Sequence, residues 1–535
     1  MTKDLIKKIK DLPRLKLLII LFTVWQYFSV AGMAMLGWST ALVWLNLGLL
    51  LAFILLCPVY ESILLLVLSI PFYVAVPNAR FDALPMWRIL FIALFSVWLI
   101  RDKRLLSPRS LGGGGRIKDI IFLPWDKYLA YFAAIGLMAG LFFGPFKWEA
   151  VKQVIFWLNI YIFYLVMINS LKNKQQIFEL IRYVIWTLAI IITLGFSQLF
   201  GTFLTDLGTF WVYWASNITK LYYGASFASV SMYSNSWFSF TGAQELRMFS
   251  IMPDSQSFAY ICLFGLCMGT ALTRSVFVHV RKWLWSGIRF AALGLILSGT
   301  RAVWVGMVLP FLVVIWGYYK NFQKHLARKF LWPFLIIFIL FGLSPFINRG
   351  LAFLRVEKFQ ENFLLRAASI YDLNESSNQG RIAIWHNSIR YGALHPWGVG
   401  FGNFLISFHP EAQKQTYDDA AKTLNTRYNL PAKYVSAHSL YLQVFVEAGA
   451  LGFAAFAAFW IAVLSYLWRF IHHYEKTEDF LVYFVAQAFL MVLWILAAAF
   501  FDITLFNDKV LMLFFINLGL AGLIVKRYHE YHEGE

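Results

Sequence analysis

Apolar runs of about twenty residues recur along almost the whole chain, and this constrains the fold more than any other feature. Runs such as 17–36, 178–200, 480–501 and 507–525 are each long enough for a helix to cross a bilayer, which takes roughly 20 residues. A backbone in lipid must satisfy its own hydrogen bonds, and an open strand cannot. The pattern therefore predicts an all-α polytopic membrane protein with about 12–14 transmembrane helices. Composition agrees: 60% of residues are hydrophobic and 14% charged, against roughly 45–50% and 25% in soluble domains. The opening MTKDLIKKIKDLPRLK reads as a basic cytoplasmic tail, because the apolar stretch behind it is a full span without a cleavage pattern.

The net charge of +18 does not point to nucleic acid, because the Lys and Arg cluster in short loops beside spans. With the N-terminus inside, the loops bearing Arg101/Lys103/Arg104, Lys172/Lys174, Arg274/Arg281, Lys320/Lys324 and Arg469/Lys476 all fall on one side, as does Lys526/Arg527. The positive-inside rule makes that side cytoplasmic. Two long segments, 201–256 and 348–438, then lie outside, and loops of such length are usually functional. The second opens with an amphipathic stretch: Leu351, Leu354, Phe359, Phe363, Ala367 and Ile370 recur at helical spacing, with Arg355, Lys358 and Arg366 elsewhere. It reads as a helix on the membrane surface. The expected divisions are N-terminal helices over 1–200, central helices over 201–347, the outer loop over 348–438 and C-terminal helices over 439–535.

Several chemistries are not expected. Cys57, Cys262 and Cys267 sit in apolar runs without zinc spacing. The Gly112–Gly115 run lacks the Lys-Ser/Thr of a phosphate-binding loop and reads as a linker, so no nucleotide cofactor is expected. Asp418-Asp419 reads as a solvated loop pair, since no DxD-type pattern accompanies it, and no metal is expected.

Four patterns at the outer face carry the functional signal. These are ELRMFSIMPDSQSFAYI with Arg247, LILSGTRAVWVGM with Arg301, NQGRIAIWHNSI with Arg381 and Trp385 followed by HPWGVGFGNF, and AHSLYLQVFVEAGALG with His438. The run His438-Ser439, nine residues, then Gly449-x-x-Gly452 resembles the signature of bacterial O-antigen ligases. Arg301 after a small polar pair, Gly380-Arg381 with Trp385, and the Gly-x-Gly-x-Gly-Asn-Phe stretch are similar to the same superfamily, which includes O-antigen and capsule polymerases. The resemblance covers roughly 240–455; Gly-Thr-Arg stands where Ser-Arg is common, and Phe453 where ligases often carry Ser or Thr.

The resemblance implies a fold like that of class-C glycosyltransferases and the metal-independent, inverting transfer of a glycan from undecaprenyl diphosphate. The acceptor would be lipid A-core or another lipid or glycan, and the reaction would occur outside the bacterial inner membrane. Arg301 and Arg381 would grip the donor diphosphate, with Arg247 a third cation, and His438 would orient or deprotonate the acceptor. The residue chemistry is compatible: guanidinium forks donate paired hydrogen bonds to phosphate, and an imidazole suits an acceptor proton.

Plainer readings stand beside these. Each arginine near a span end can snorkel to headgroups, Arg381 can pair with a loop carboxylate, His438 can cap its helix, and Gly449 and Gly452 can serve close helix packing. Trp211, Trp214, Tyr222, Tyr223 and Trp237 fit an interfacial belt as well as a sugar platform. The alternative functions are a polymerase, whose acceptor is a second lipid-linked glycan, and a polysaccharide transporter, which needs charge along the membrane path. Glu447 is the clearest acidic candidate for that path.

Overall fold

The computed structural model describes residues 13–77, 84–101, 120–225, 227–228, 238–240, 244–273, 278–320, 324–355, 363–404, 436–474, 477 and 479–531. The Gly112–Gly115 run, Asp418-Asp419 and Trp237 lie outside the described residues, as do 356–362 of the amphipathic stretch.

The chain is all-α, with only two short two-stranded pairings among the described residues. Among the described residues the α-helices of ten residues or more are α1 Arg14–Met35, α2 Ala41–Leu56, α3 Val59–Leu68, α4 Met86–Arg101, α5 Asp126–Phe142, α6 Lys147–Ser170 and α7 Lys174–Gly201. There follow α8 Ser255–Leu272, α9 Val278–Leu297, α10 Arg301–Tyr319, α11 Lys324–Gly342, α12 Ser344–Leu354 and α13 Ser376–Leu394. The last three are α14 Leu440–His473, α15 Phe480–Ala498 and α16 Asp508–Arg527.

Among the described residues eight helices are long and apolar enough to cross a membrane, or nine if the bent pair α11–α12 is one span. The polytopic fold is as expected, and the lower count reflects helix length. Each run read from the sequence falls at least in part on a helix, but α2 has 16 residues and α3 only 10, about 24 and 15 Å. The 20-residue α9 carries Arg281, Lys282 and Arg289. Pro333 lies inside α11 and Pro345 opens α12, at a bend of 59°.

The described chain divides into two compact units, one of 1–121, 159–194 and 208–233, the other of 122–158, 195–207 and 234–535. In the first, polar side chains link apolar helices: Asn46 Nδ2 donates to Ser29 Oγ at 2.7 Å, and Gln26 Nε2 to Ser69 Oγ at 3.0 Å. Lys16 pairs with Glu179 at 2.5 Å. Such bonds hold membrane helices together where no hydrophobic force separates helix from lipid.

The second unit is built on α8, α15 and α16, which are buried along most of their length. Trp494 Nε1 donates to the Val303 carbonyl at 2.7 Å, and Gln487 and Asn517 bond at 2.8 Å. Helix ends meet in pairs at one end of this unit. Met248 N–H donates to Leu297 O at 3.1 Å, Thr300 Oγ1 to Ser255 O at 3.2 Å and Leu440 N–H to Ala499 O at 2.8 Å. The starts of α8, α10 and α14, the end of α9 and the α15–α16 turn are thereby gathered together.

α14 is broken at Gly449, whose φ of 68° lies in the left-handed region. The break frees carbonyls that a helix would use. Val446 O accepts from Val399 N–H at 3.1 Å, and Glu447 O from Gly400 N–H at 2.7 Å. The loop 396–404 packs so closely that a Cβ on Gly449 would lie 2.4 Å from Pro396 O, and one on Gly400 2.0 Å from Gly140 Cα. Gly449 thus serves a close approach, though of a loop and not of a helix. Irregular backbone at membrane depth is tolerated where protein buries it.

Candidate functional site

The Arg301 motif is a turn between two helices. α9 ends at Leu297, Gly299 takes a left-handed φ of 63°, and Thr300 returns to extended backbone as the N-cap of α10. A glycine past a helix end is the residue this reversal prefers. Arg301 is therefore the first helical residue, with its side chain thrown back over the turn. Its Nη1 donates to Ser369 Oγ at 2.8 Å and pairs with the Glu375 carboxylate.

Two further arginines gather on this turn. Arg366 Nε donates to the Gly299 carbonyl at 2.8 Å. A Cβ on Gly299 would lie 3.2 Å from that Nε and 3.5 Å from Cγ and Cδ of Arg247. Arg247 and Arg366 thus flank the residue two before Arg301. The amphipathic stretch explains how Arg366 arrives: Arg355 and Arg366 are buried, whereas Leu354 is 57% exposed. The cations turn inward and the leucine outward, an arrangement a membrane protein tolerates because its outside is lipid. Spacing marked Arg366 only as a polar-face residue, and its burial is a tertiary event.

α13 carries Arg381. Its Trp385 Nε1 donates to the Ala437 carbonyl at 3.0 Å, and the Trp385 ring stands 5.9 Å from that of Phe501. The tryptophan thus fixes α13 against the residue before His438 and the residue before Asp502. Burial lowers the pKa of Arg381, and the charge of Arg301 lowers it further, while Asp502 and Glu375 oppose the shift.

His438 has a φ of 47°, uncommon for a side chain with a Cβ. Contacts on both sides impose it. Ala437 N–H donates to Gln443 Oε1 at 3.0 Å, and Leu440 N–H donates to Ala499 O and to Asp502 O at 3.0 Å. Strain of this kind persists only where the surroundings over-determine it. Burial, and then the positive field of Arg381, push the imidazole pKa down to about 4. The ring is neutral at physiological pH.

Asp502, in the turn between α15 and α16, is a functional candidate the motif reading missed. Its Oδ1 accepts from Ile503 N–H at 2.6 Å and Thr504 N–H at 3.0 Å, and its Oδ2 is buried with no hydrogen-bond partner among the described residues. Burial raises its pKa to about 7, with Asp254 adding to the rise. A lone carboxylate in a short turn between two apolar runs was the available signal. Asp254, itself raised by burial, caps α8 by accepting from Ser257 N–H at 2.6 Å. Asn507 Nδ2 reaches its other oxygen at 3.2 Å.

Arg301, Arg381 and His438 therefore share one electrostatic neighbourhood with Glu375 and Asp502, while Arg247 reaches the Arg301 turn through Gly299. Glu447 serves a different purpose. Its Oε1 accepts from Gln443 Nε2 at 2.7 Å and from Gly402 N–H at 3.2 Å, so the carboxylate cited for a transport path holds the glycine loop.

Residues 287–457 match the O-antigen ligase family. The match takes in Arg301, Arg366, Glu375, Arg381, the glycine loop and His438; Arg247 and Asp502 lie outside it. None of the curated proteins matches the chain.

Proposed function

We propose, from the premise that residues 287–457 form an O-antigen ligase domain, that this chain is a glycosyltransferase moving a preassembled glycan from undecaprenyl diphosphate to a lipid or other acceptor. The observation that carries it is the placing of Arg381 between Arg301, in whose field it lies, and a neutral, half-buried His438. The guanidinium groups hold the donor diphosphate and stabilise the charge that builds on it as it leaves. Arg247 adds a third cation from the Gly299 side. The acceptor hydroxyl attacks the anomeric carbon while the bond to the phosphate oxygen breaks, inverting the configuration. Its proton passes to the His438 imidazole. No metal is required, because the arginines supply the positive charge.

The site faces away from the cytoplasm. The basic loops that follow α8, α10 and α14, with Arg274, Lys320 and Arg469 in or beside them, lie at the opposite helix ends from Arg301 and His438. Single cysteines introduced at 225 and at 371, where Tyr371 is 87% exposed beside the Arg301 contacts, should react with a membrane-impermeant reagent from outside, and one at 325 only after permeabilisation. Protection at 371 with labelling at 325 would place the site on the wrong face for an exported donor.

The pH profile follows from the depressed imidazole. A protonated ring cannot accept a proton, so the rate should fall as pH drops through about 4 and show no His438 limb at 6–7. Beside the ring stands Arg381, whose own field includes Arg301, Glu375 and Asp502, the last titrating near 7. Transfer rates across pH in Asp502→Asn separate the two groups, because a limb that survives there belongs to His438. With Arg381→Gln as well, that limb should move up towards the ordinary imidazole value of about 6.5. A His438 limb unmoved by loss of Arg381 would refute the coupling.

A further inference from the structure

The Arg301–Glu375 pair raises a question the donor clamp leaves open. A diphosphate that binds Arg301 must share or displace the carboxylate already paired with it. The pair is well withdrawn from water, with the arginine side chain 9% exposed and the glutamate 22%. Its strength therefore exceeds that of an exposed surface pair.

Among the described residues the Glu375 side chain makes its hydrogen bond and ion pair with Arg301 alone. It is the N-cap of α13, and its side chain makes no capping hydrogen bond; glutamate is not among the residues that usually cap there. The 369–378 loop is tied down independently. Asn378 Nδ2 donates to Ser369 O at 2.9 Å and Asp372 O at 2.8 Å, and Ser369 Oγ donates to Arg366 O at 2.9 Å. Glu375 also acts on Arg381, whose pKa it raises. One carboxylate thus stands in the field of both cations assigned to the donor.

We infer that Glu375 is an exchange ligand for Arg301, displaced when the donor's diphosphate binds and returning as the product undecaprenyl diphosphate leaves. This rests on the donor-clamp reading above. Transfer strips the glycan from the donor and leaves a diphosphate with a free terminal phosphate, more highly charged than the substrate. Arginines strong enough to stabilise the transition state would hold that product tightly. An internal carboxylate that competes for the same guanidinium lowers the affinity for substrate and product alike and lets the product go.

The experiment is direct binding of undecaprenyl diphosphate to purified wild type, Glu375→Gln, Glu375→Asp and Arg301→Ala, beside donor KM, kcat and product inhibition. Glu375→Gln is nearly isosteric and leaves the Asn378 bonds in place. A charge-assisted hydrogen bond is worth roughly 1.5–3 kcal/mol, so removing the competitor should tighten product binding about tenfold or more. Donor KM should fall with it, product inhibition should deepen, and kcat should drop. Glu375→Asp keeps the charge but shortens its reach, and should lie between. Glu375→Gln that binds undecaprenyl diphosphate no more tightly than wild type would overturn the exchange, leaving the glutamate to orient Arg301. Equal binding by wild type and Arg301→Ala would instead overturn the donor clamp itself.

Discussion

Replacing His438 by alanine should lower the transfer rate by about 10²–10⁴, the usual cost of removing a general base, while donor binding stays near wild type. In the proposed mechanism Arg301 and Arg381 hold the diphosphate, so the two quantities separate. The left-handed backbone of His438, with φ of 47°, costs any residue with a Cβ roughly 1–2 kcal/mol, and alanine keeps that cost while losing the ring's contacts. His438→Asn controls for this, since asparagine tolerates that backbone but cannot take the proton. It should fold like the wild type and remain inactive. Arg301→Ala and Arg381→Ala should lose donor binding together with rate, and lysine should rescue only in part because it lacks the fork. A His438→Asn protein with full activity would remove the imidazole from the mechanism.

Gly449→Val should cause the largest loss of folded protein of any substitution considered. The new Cβ would meet Pro396 O and the Trp397 carbonyl carbon at 2.4 Å, on a backbone with φ of 68°. Left-handed strain and overpacking together cost roughly 3–5 kcal/mol, and the loop 396–404 would separate from α14. Thermal unfolding in detergent should show a marked fall, with loss of transfer following from loss of fold. Gly380→Ala is the contrast: a Cβ there meets nothing within 4 Å among the described residues, and the backbone is helical. It should be neutral or slightly stabilising, although Gly380 belongs to a family-like motif. Equal behaviour of the two variants would contradict the packing account of the broken helix.

Much of this architecture was legible in the residues because bilayer physics is strict. Runs of apolar residues have one regular solution in lipid, so helix positions followed from hydropathy. Helix lengths did not, because α2 and α3 stop at Cys57 and Ser69 for local reasons that apolarity does not report. At the candidate site, Arg301, Arg381 and His438 could be nominated from the sequence because they sit in motifs that survive as short strings. Arg366, Glu375 and Asp502 were not found, since each acquires its meaning from a partner far along the chain: Gly299, Arg301 and the Arg381 neighbourhood. Gly449 was read as a helix-packing glycine, and its use as a break became visible only with the glycine loop laid against it.

The central claim is that this chain transfers a glycan from a lipid diphosphate, and one reconstitution tests it most directly. Purified protein in proteoliposomes is given a radiolabelled glycan on undecaprenyl diphosphate, an acceptor lipid and a chelator. Label should pass to the acceptor as undecaprenyl diphosphate is released, with inverted linkage, and Arg301→Ala and His438→Asn should abolish it. Passage of label to a second donor molecule would identify a polymerase acting through the same site. Intact donor carried across the bilayer with no new glycosidic bond would contradict the account.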